Sequence, residues 1–203
     1  MKIKIYALML LMFGMFNAPT VLAQPVRNGD ATFDLHYGVG SISRAFVKAV
    51  AEEVNGKFNS FGAMGLRFEY MLSDNIGLGF EGNYLKHRAQ WQEQYTDFNG
   101  QTVTSRAEYS AQRIRFMPRF NYHFGMGDNL DSFVGLSAGY LSLTRNYVYS
   151  DPAYVPESVS SVIPLAMRIS YGMRYFFTDN FGANLEFGIG GGNMIHFGFS
   201  FKL

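Results

Sequence analysis

The sequence predicts an all-β fold: eight antiparallel strands in an up-and-down barrel, with a short helix in the first loop. Three observations carry this reading. Eight segments alternate apolar with small or charged residues at period 2, the spacing of side chains on a strand. Their connections are by turns short and long. The composition is rich in aromatics (17%) and Gly (22 residues), has no Cys, and has a mean hydropathy near zero. Beyond residue 23 no segment approaches 18 consecutive apolar residues, which excludes a helical membrane protein.

Residues 1–23 stand apart from the fold. Lys2 and Lys4 precede an apolar run from Ile5 to Phe16, and Val21 and Ala23 suit a cleavage site before Gln24, so the segment reads as a secretory signal peptide. The run is shorter than the roughly 20 residues a membrane-spanning helix needs. Gln24 is not the Cys of a lipoprotein acylation site. A short segment, 24–30, then leads into a single barrel domain, 31–203. Loss of the two leader lysines takes the formal charge from +1 to −1, with no basic surplus for a nucleic-acid partner. An exported chain without Cys must fold without disulfides.

The first strand is "ATFDLHYGVG" (31–40). "SRAFVKAVAEEVNGK" (43–57) follows as a helix, with Ser43 as N-cap, Phe46, Val50 and Val54 as an apolar stripe, and Gly56 as the stop. Strands at 61–70 and 76–84 flank Ser73-Asp74-Asn75, expected to be a tight turn because Asp and Asn tolerate left-handed geometry. A polar hairpin, 91–106, turns at Asn99-Gly100. "RIRFMPRFNYHF" (113–124) sets Ile114, Phe116, Phe120 and Tyr122 against Arg113, Arg115, Arg119 and His123. The longer turn "GMGDNLDS" (125–132) leads to 133–140, and "YSDPAYVPES" (149–158) is a loop with two prolines. The strand 163–177 carries Arg168 and Arg174 on its small or charged face. Thr178-Asp179-Asn180 repeats the first turn, and strands at 181–189 and 194–203 end the chain. The phase blurs at Leu85 and Leu141, where a bulge or strand end is expected.

Alternating strands admit a soluble barrel with its apolar face inward or a membrane barrel with that face on lipid. Three features favour the transmembrane β-barrel. Aromatics gather near the turns (Tyr70, Tyr122, Phe124, Tyr175, Phe177, Phe181, Phe201), as in an interfacial girdle. The polar face holds Gly, Ser, Arg and Glu with little Lys, which suits a narrow interior. Short turns alternate with long loops, as periplasmic and extracellular ends do.

With its leader, eight strands, "SDN" and "TDN" turns and terminal "FGFSFKL", the chain resembles the small outer-membrane β-barrels of the OmpX, OmpW and OmpA-transmembrane types. "HYGVGSIS", the helical first loop and "FEYMLSDNIGLG" look most like versions common in Bacteroidota-type bacteria. The resemblance implies a cell outer membrane location after cleavage of the leader. It also implies contact with outer-membrane lipid and lipopolysaccharide, a monomer, and reading of the terminal strand by the barrel-assembly machinery. Leu203 stands where a terminal Phe is commoner, with Phe201 two residues before it on the same face.

An eight-stranded barrel is just wide enough for its side chains to fill. The inward phase sets Asp34, Glu69, Glu81 and Glu186 against Arg67, Arg113, Arg115, Arg119, Arg168, Arg174 and Lys202. These are expected to form a salt-bridged plug; the alternative is a narrow channel for small, anionic or amphipathic solutes. His36 and His196 fall inward on pairing strands, and a metal site with Asp34 is conceivable. Hydrogen-bonded lumen histidines are the simpler expectation, so no metal ligand, cofactor or catalytic residue is assigned. A lipid-modifying enzyme would need a nucleophile or acid–base pair open to the outer leaflet, and none is legible. "GIGGGN" (188–193) has no following helix to bind phosphate and reads as a tight turn. Trp91, Tyr95, Phe98, Tyr147, Tyr149 and Tyr154 gather toward the loops with Tyr109, as ligand-binding candidates or an outer interfacial belt. The helix would lie on the outer leaflet or cap the mouth. The function expected is therefore non-enzymatic, in envelope structure or in surface binding through extracellular loops.

Overall fold

The computed structural model describes residues 24–96, 100–150, 157–160, 164–190 and 192–203. The leader, the prolines of the 149–158 loop, Phe98, Asn99 and Tyr154 lie outside the described residues. In chain order the elements are β1 (Ala31–Val39), α1 (Ile42–Glu53), β2 (Lys57–Met71), β3 (Ile76–Thr96), β4 (Thr102–Gly125) and β5 (Leu130–Tyr149). They continue with β6 (Glu157–Ser160), β7 (Leu165–Phe176), β8 (Phe181–Ile189) and β9 (Ile195–Lys202). All strands but β6 form a closed antiparallel ring, sealed where β1 meets β9 with Asp34 opposite Ser200. The fold is an eight-stranded up-and-down barrel of the transmembrane type. Among the described residues no helix is long and apolar enough to cross a membrane.

The alternation places the charged residues inside and the apolar ones outside. Arg67, Glu81 and Arg174 are at most 1% exposed, whereas Phe116, Leu165 and Met167 are more than half exposed. Such an exterior is stable only against lipid, and such an interior only with its charges paired. Near the short turns the outer face becomes aromatic. Phe181 lies 5.4 Å from Phe201, 5.7 Å from Phe199 and 6.0 Å from Phe177.

The two repeated turns are built alike. Ser73 Oγ accepts from Ile76 N at 3.1 Å, and Thr178 Oγ1 accepts from Phe181 N at 3.1 Å. The left-handed geometry expected of Asp and Asn is absent there: the positive-φ residue without a Gly identity, among those described, is Asn55. The hydroxyl of Ser73 or Thr178 supplies the turn's acceptor, so no residue has to enter the strained region. This turn end is closed by the N-terminal segment, whose Val26 packs between Met71 and Phe176.

The strands are unequal. β1, β8 and β9 have 9, 9 and 8 residues, close to the roughly 9–11 that cross a bilayer. β3, β4 and β5 have 21, 24 and 20 and rise beyond them at the loop end as a three-stranded wall. The short strand β6, in a segment the sequence reads as loop, pairs Glu157–Ser160 with Thr144–Tyr147 of that wall.

Three further expectations are refined. First, the bulge expected near Leu85 is present in the facing strand: the register shifts in β2 between Phe61 and Met64, opposite Lys86 to Tyr84, while β3 itself runs through Leu85 without a break. The phase blurs there because the inner face itself turns apolar: Leu85, Ala89, Ala107 and Ala111 are all buried above the charged lumen. Second, α1 starts at Ile42 with Ser41 as N-cap, rather than at Ser43, and ends in a Schellman pattern. Asn55 takes the left-handed position (φ 52°), and Gly56 N donates to Ala51 O at 2.7 Å. Third, its buried side is Val47 and Ala51; Phe46, Val50 and Val54 are exposed.

Candidate functional site

Each inward carboxylate of the lower lumen is held by arginine. Arg67 Nη1 lies 2.9 Å from Asp34 and its Nη2 3.0 Å from Glu186. Arg119 reaches Glu81 at 2.8 Å and Glu186 at 2.6 Å; Arg168 Nε meets Glu186 at 3.0 Å. Arg174 is shared among Asp34 (3.0 Å), Glu69 (2.7 Å) and Asp131 (3.1 Å), and its guanidinium carbon sits 4.5 Å over the Phe133 ring. His123 places one ring nitrogen 2.8 Å from Asp131 and the other 2.8 Å from Glu69. Carboxylates only accept, so this arrangement asks for a hydrogen on both nitrogens. The groups interlock across strands that are distant in sequence, and the acids are bridged to more than one base. Such a network avoids the large cost of an isolated buried charge, although a buried pair by itself adds little net stability.

The network holds Asp34, Arg67, Glu69, Glu81, Arg119, Arg168, Arg174 and Glu186. Two further members join them: His123, read from the sequence as facing inward but given no charged partner, and Asp131, which escaped assignment by sequence. Asp131 stood inside what reads as a turn; with β5 starting at Leu130 it becomes the first inward residue of the strand. Lys202 stands outside the network: at the turn-end rim its Nζ donates to Pro25 O at 2.7 Å. Arg113 and Arg115 face the lumen but pair with no described carboxylate.

His36 and His196 do meet, stacked at 4.5 Å with their planes 16° apart. Glu81, and not Asp34, completes their cluster; ligand atoms of the three lie within 4.8 Å of one another. Asp34 is instead taken up by Arg67, Arg174 and Ser200. His36 Nε2 donates to Asn83 Oδ1 at 3.0 Å, and Asn83 Nδ2 donates to Glu81 at 2.6 Å. Near-parallel rings carry their in-plane lone pairs side by side, so the histidine donors do not converge on one point. The arrangement suits stacking and hydrogen bonding better than metal coordination.

A second site lies at the loop end. Val47 and Ala51 of α1 pack on Ala89, with Phe58, Trp91 and Tyr109 beside them. Ala89 shares the inward face of β3 with Glu81 and Asn83, so α1 rests on the lumen side of the tall wall and not on the outer leaflet. Between helix and wall is a cleft of about 120 Å³ lined by Phe46, Val50, Trp91, Tyr109 and Tyr147. Tyr109 and Tyr147 are 4.9 Å apart, and burial beside Tyr147 pushes the Tyr109 phenol up, which keeps it a neutral donor. Trp91 Nε1 is turned away to Glu93 at 2.7 Å, leaving its ring to the cleft. Tyr95 and Tyr149 stand nearer the tips of β3 and β5 and do not line it.

The sequence matches no protein-family model and none of the characterised proteins. Solved structures do share its architecture. Outer membrane protein OprG from Pseudomonas aeruginosa is similar with a TM-score of 0.50 at 12% identity, over 89% of this chain and 98% of that one. The N-terminal β-barrel domain of Pseudomonas aeruginosa OprF aligns over 88% of this chain and 100% of its own, at 16% identity and a TM-score of 0.45. Ail, the attachment invasion locus protein of Yersinia pestis, aligns over 87% and 99% at 11% identity and 0.45. The fold is thus that of the small outer-membrane β-barrels, and at these identities the likeness speaks of fold alone.

Proposed function

We propose that the protein is a non-enzymatic outer-membrane barrel whose sealed lumen serves as a rigid support, and whose loop end, facing outward, is a binding surface. The observation that carries this is the contrast between the two ends of the interior. The lower lumen is filled by interlocked ion pairs, which opposes a conducting path, while the aromatic residues converge on an open cleft above it. Aromatic walls with few polar groups suit an apolar or aromatic ligand group. The outward apolar band and the aromatic girdle support an outer-membrane location reached through the predicted leader.

Trp91 is the protein's single tryptophan and lies in the cleft, so it reports on occupancy. An anilinonaphthalene dye titrated into the refolded protein is expected to quench Trp91 fluorescence saturably, and Phe46→Ser to weaken that quenching. Dye that leaves Trp91 unaffected would remove the cleft from the proposal. Steady single-channel openings of the wild type in planar bilayers would overturn the sealed lumen.

A further inference from the structure

The lumen is divided into two tiers. In the lower one the acids and arginines are paired. In the upper one, on the same face of β4, Arg113 and Arg115 stand two residues apart without a carboxylate partner among the described residues. Arg115 is 1% exposed, and its Nε, Nη1 and Nη2 make no hydrogen bond. Arg168, reaching in from β7, donates Nε to Glu186 and Nη1 to Asn193 O at 2.7 Å, which leaves Nη2 unpartnered. Arg113 Nη2 donates to Asn193 Oδ1 at 3.2 Å.

These three guanidinium groups meet around one connection. Asn193, between β8 and β9, holds Arg113 with its side chain and Arg168 with its carbonyl. Gly192 is pressed against the third: a Cβ there would stand 2.2 Å from Arg115 Nη2 and 2.4 Å from Nη1. A side chain at 192 would displace the Arg115 guanidinium. The backbone oxygens and the Asn193 amide are the acceptors in view, and Arg115 reaches none of them.

A buried guanidinium with all its donors unused is costly, and like charges beside it add to the cost. The group that relieves both is a small oxyanion, whose paired oxygens match the guanidinium fork. We propose that Arg113, Arg115 and Arg168, gathered by Gly192 and Asn193, form a binding site for a small oxyanion of the phosphate or carboxylate class. The side chains face inward, away from the lipid-covered wall, so the anion is a freely diffusing solute and not a lipid headgroup. The paired tier beneath stops it from passing through. It is independent of the aromatic cleft and of its ligand.

The test uses the full chain refolded in a zwitterionic detergent, titrated with inorganic phosphate at constant ionic strength and, separately, with acetate. Calorimetry and the thermal unfolding midpoint are both read. The wild type is expected to bind one of the two saturably, with a raised midpoint, and the responding anion tells phosphate from carboxylate. Arg115→Met is expected to weaken binding at least about tenfold, as loss of a charge-assisted fork does. In anion-free buffer its midpoint is expected to equal or exceed that of the wild type, because the unpaired cation is gone. Arg113→Met, with one contact to Asn193 to lose, gives a second variant in case the first does not refold, and is expected to weaken binding too. No heat and no midpoint shift with either anion in the wild type would overturn the site, as would wild-type affinity in a folded Arg115→Met or Arg113→Met protein.

Discussion

Asn75 and Asn180 each clamp a neighbouring strand with the same pair of hydrogen bonds. Asn75 Nδ2 donates to His123 O at 2.9 Å and the Asn75 backbone carbonyl accepts from His123 N at 2.8 Å. Asn180 makes both bonds to Lys202, each at 2.9 Å. The repeated Asp-Asn turns therefore do more than reverse the chain: each ties its hairpin to the strand beside it, one to β4 and the other to β9. Replacing either Asn by Ala is expected to cost about 1 kcal/mol, the ordinary worth of one side-chain hydrogen bond. Urea titration in lipid vesicles, read from the folded and unfolded bands on an unheated gel, measures it. An undisturbed midpoint in both variants would show the clamps to be dispensable.

Arg174 is held by three acids, and its loss strands them together. Arg174→Met is expected to destabilise the barrel by about 3–5 kcal/mol, the penalty for leaving buried charges unpaired. The same substitution at Arg115 is expected to do no such harm, because no carboxylate depends on it. Comparing the two variants in one urea series separates a paired from an unpaired arginine by the sign of the change.

Gly65 of β2 sits where two buried groups meet. A Cβ there would stand 2.4 Å from His36 Nε2, 2.5 Å from Asn83 Oδ1 and 2.7 Å from the backbone oxygen of Gly82. Because one of the three contacts is backbone, rotation of side chains does not relieve it. Gly65→Val is expected to abolish the heat-modifiable gel shift that marks a closed barrel. A normal shift would mean that β2 moves away from β3 at small cost.

Val47 anchors α1 to the wall, whereas Phe46 beside it faces the cleft. Val47→Asp places a charge in the small apolar core with Ala51 and Ala89 and is expected to undock the helix while the barrel stays folded. Limited proteolysis should then cut within 42–53 in the variant and not in the wild type. Phe46→Ala should leave that resistance unchanged. Equal resistance in all three proteins would argue that the helix is held by something other than Val47.

The barrel was legible because period 2 survives wherever one face meets lipid and the other the lumen. Where that contrast ends, so did the reading. Leu85 blurred the phase because it is apolar yet buried on the inner face, and beyond it Ala89 receives α1, a tertiary event that strand periodicity does not encode. The stripe Phe46, Val50 and Val54 marked the apolar side of the helix, yet the wall takes the adjoining face of Val47 and Ala51, which pack on Ala89. Asp131 was hidden by its neighbours, since turn-forming residues on either side made it look like one of them. The two tiers of arginine share one sequence signature, and only the pairing across strands separates them. Arg115 and Arg119 are both inward residues of β4; Arg119 finds Glu81 and Glu186, and Arg115 finds neither.

The unequal strands give the molecule a front and a back. β3, β4 and β5 stand tall on one side, and the ends of β1, β8 and β9 lie low on the other. With α1 seated on the inner face of the wall, a partner coming from behind meets only the outside of the sheet. Among the described residues, a partner coming from the low side, over Val39, Ile189 and Ile195, has a clear line to the helix and the aromatic residues. The recognition proposed for this end would therefore be directional in the plane of the membrane, and neighbouring copies would have to turn their low sides toward a shared ligand to engage it together.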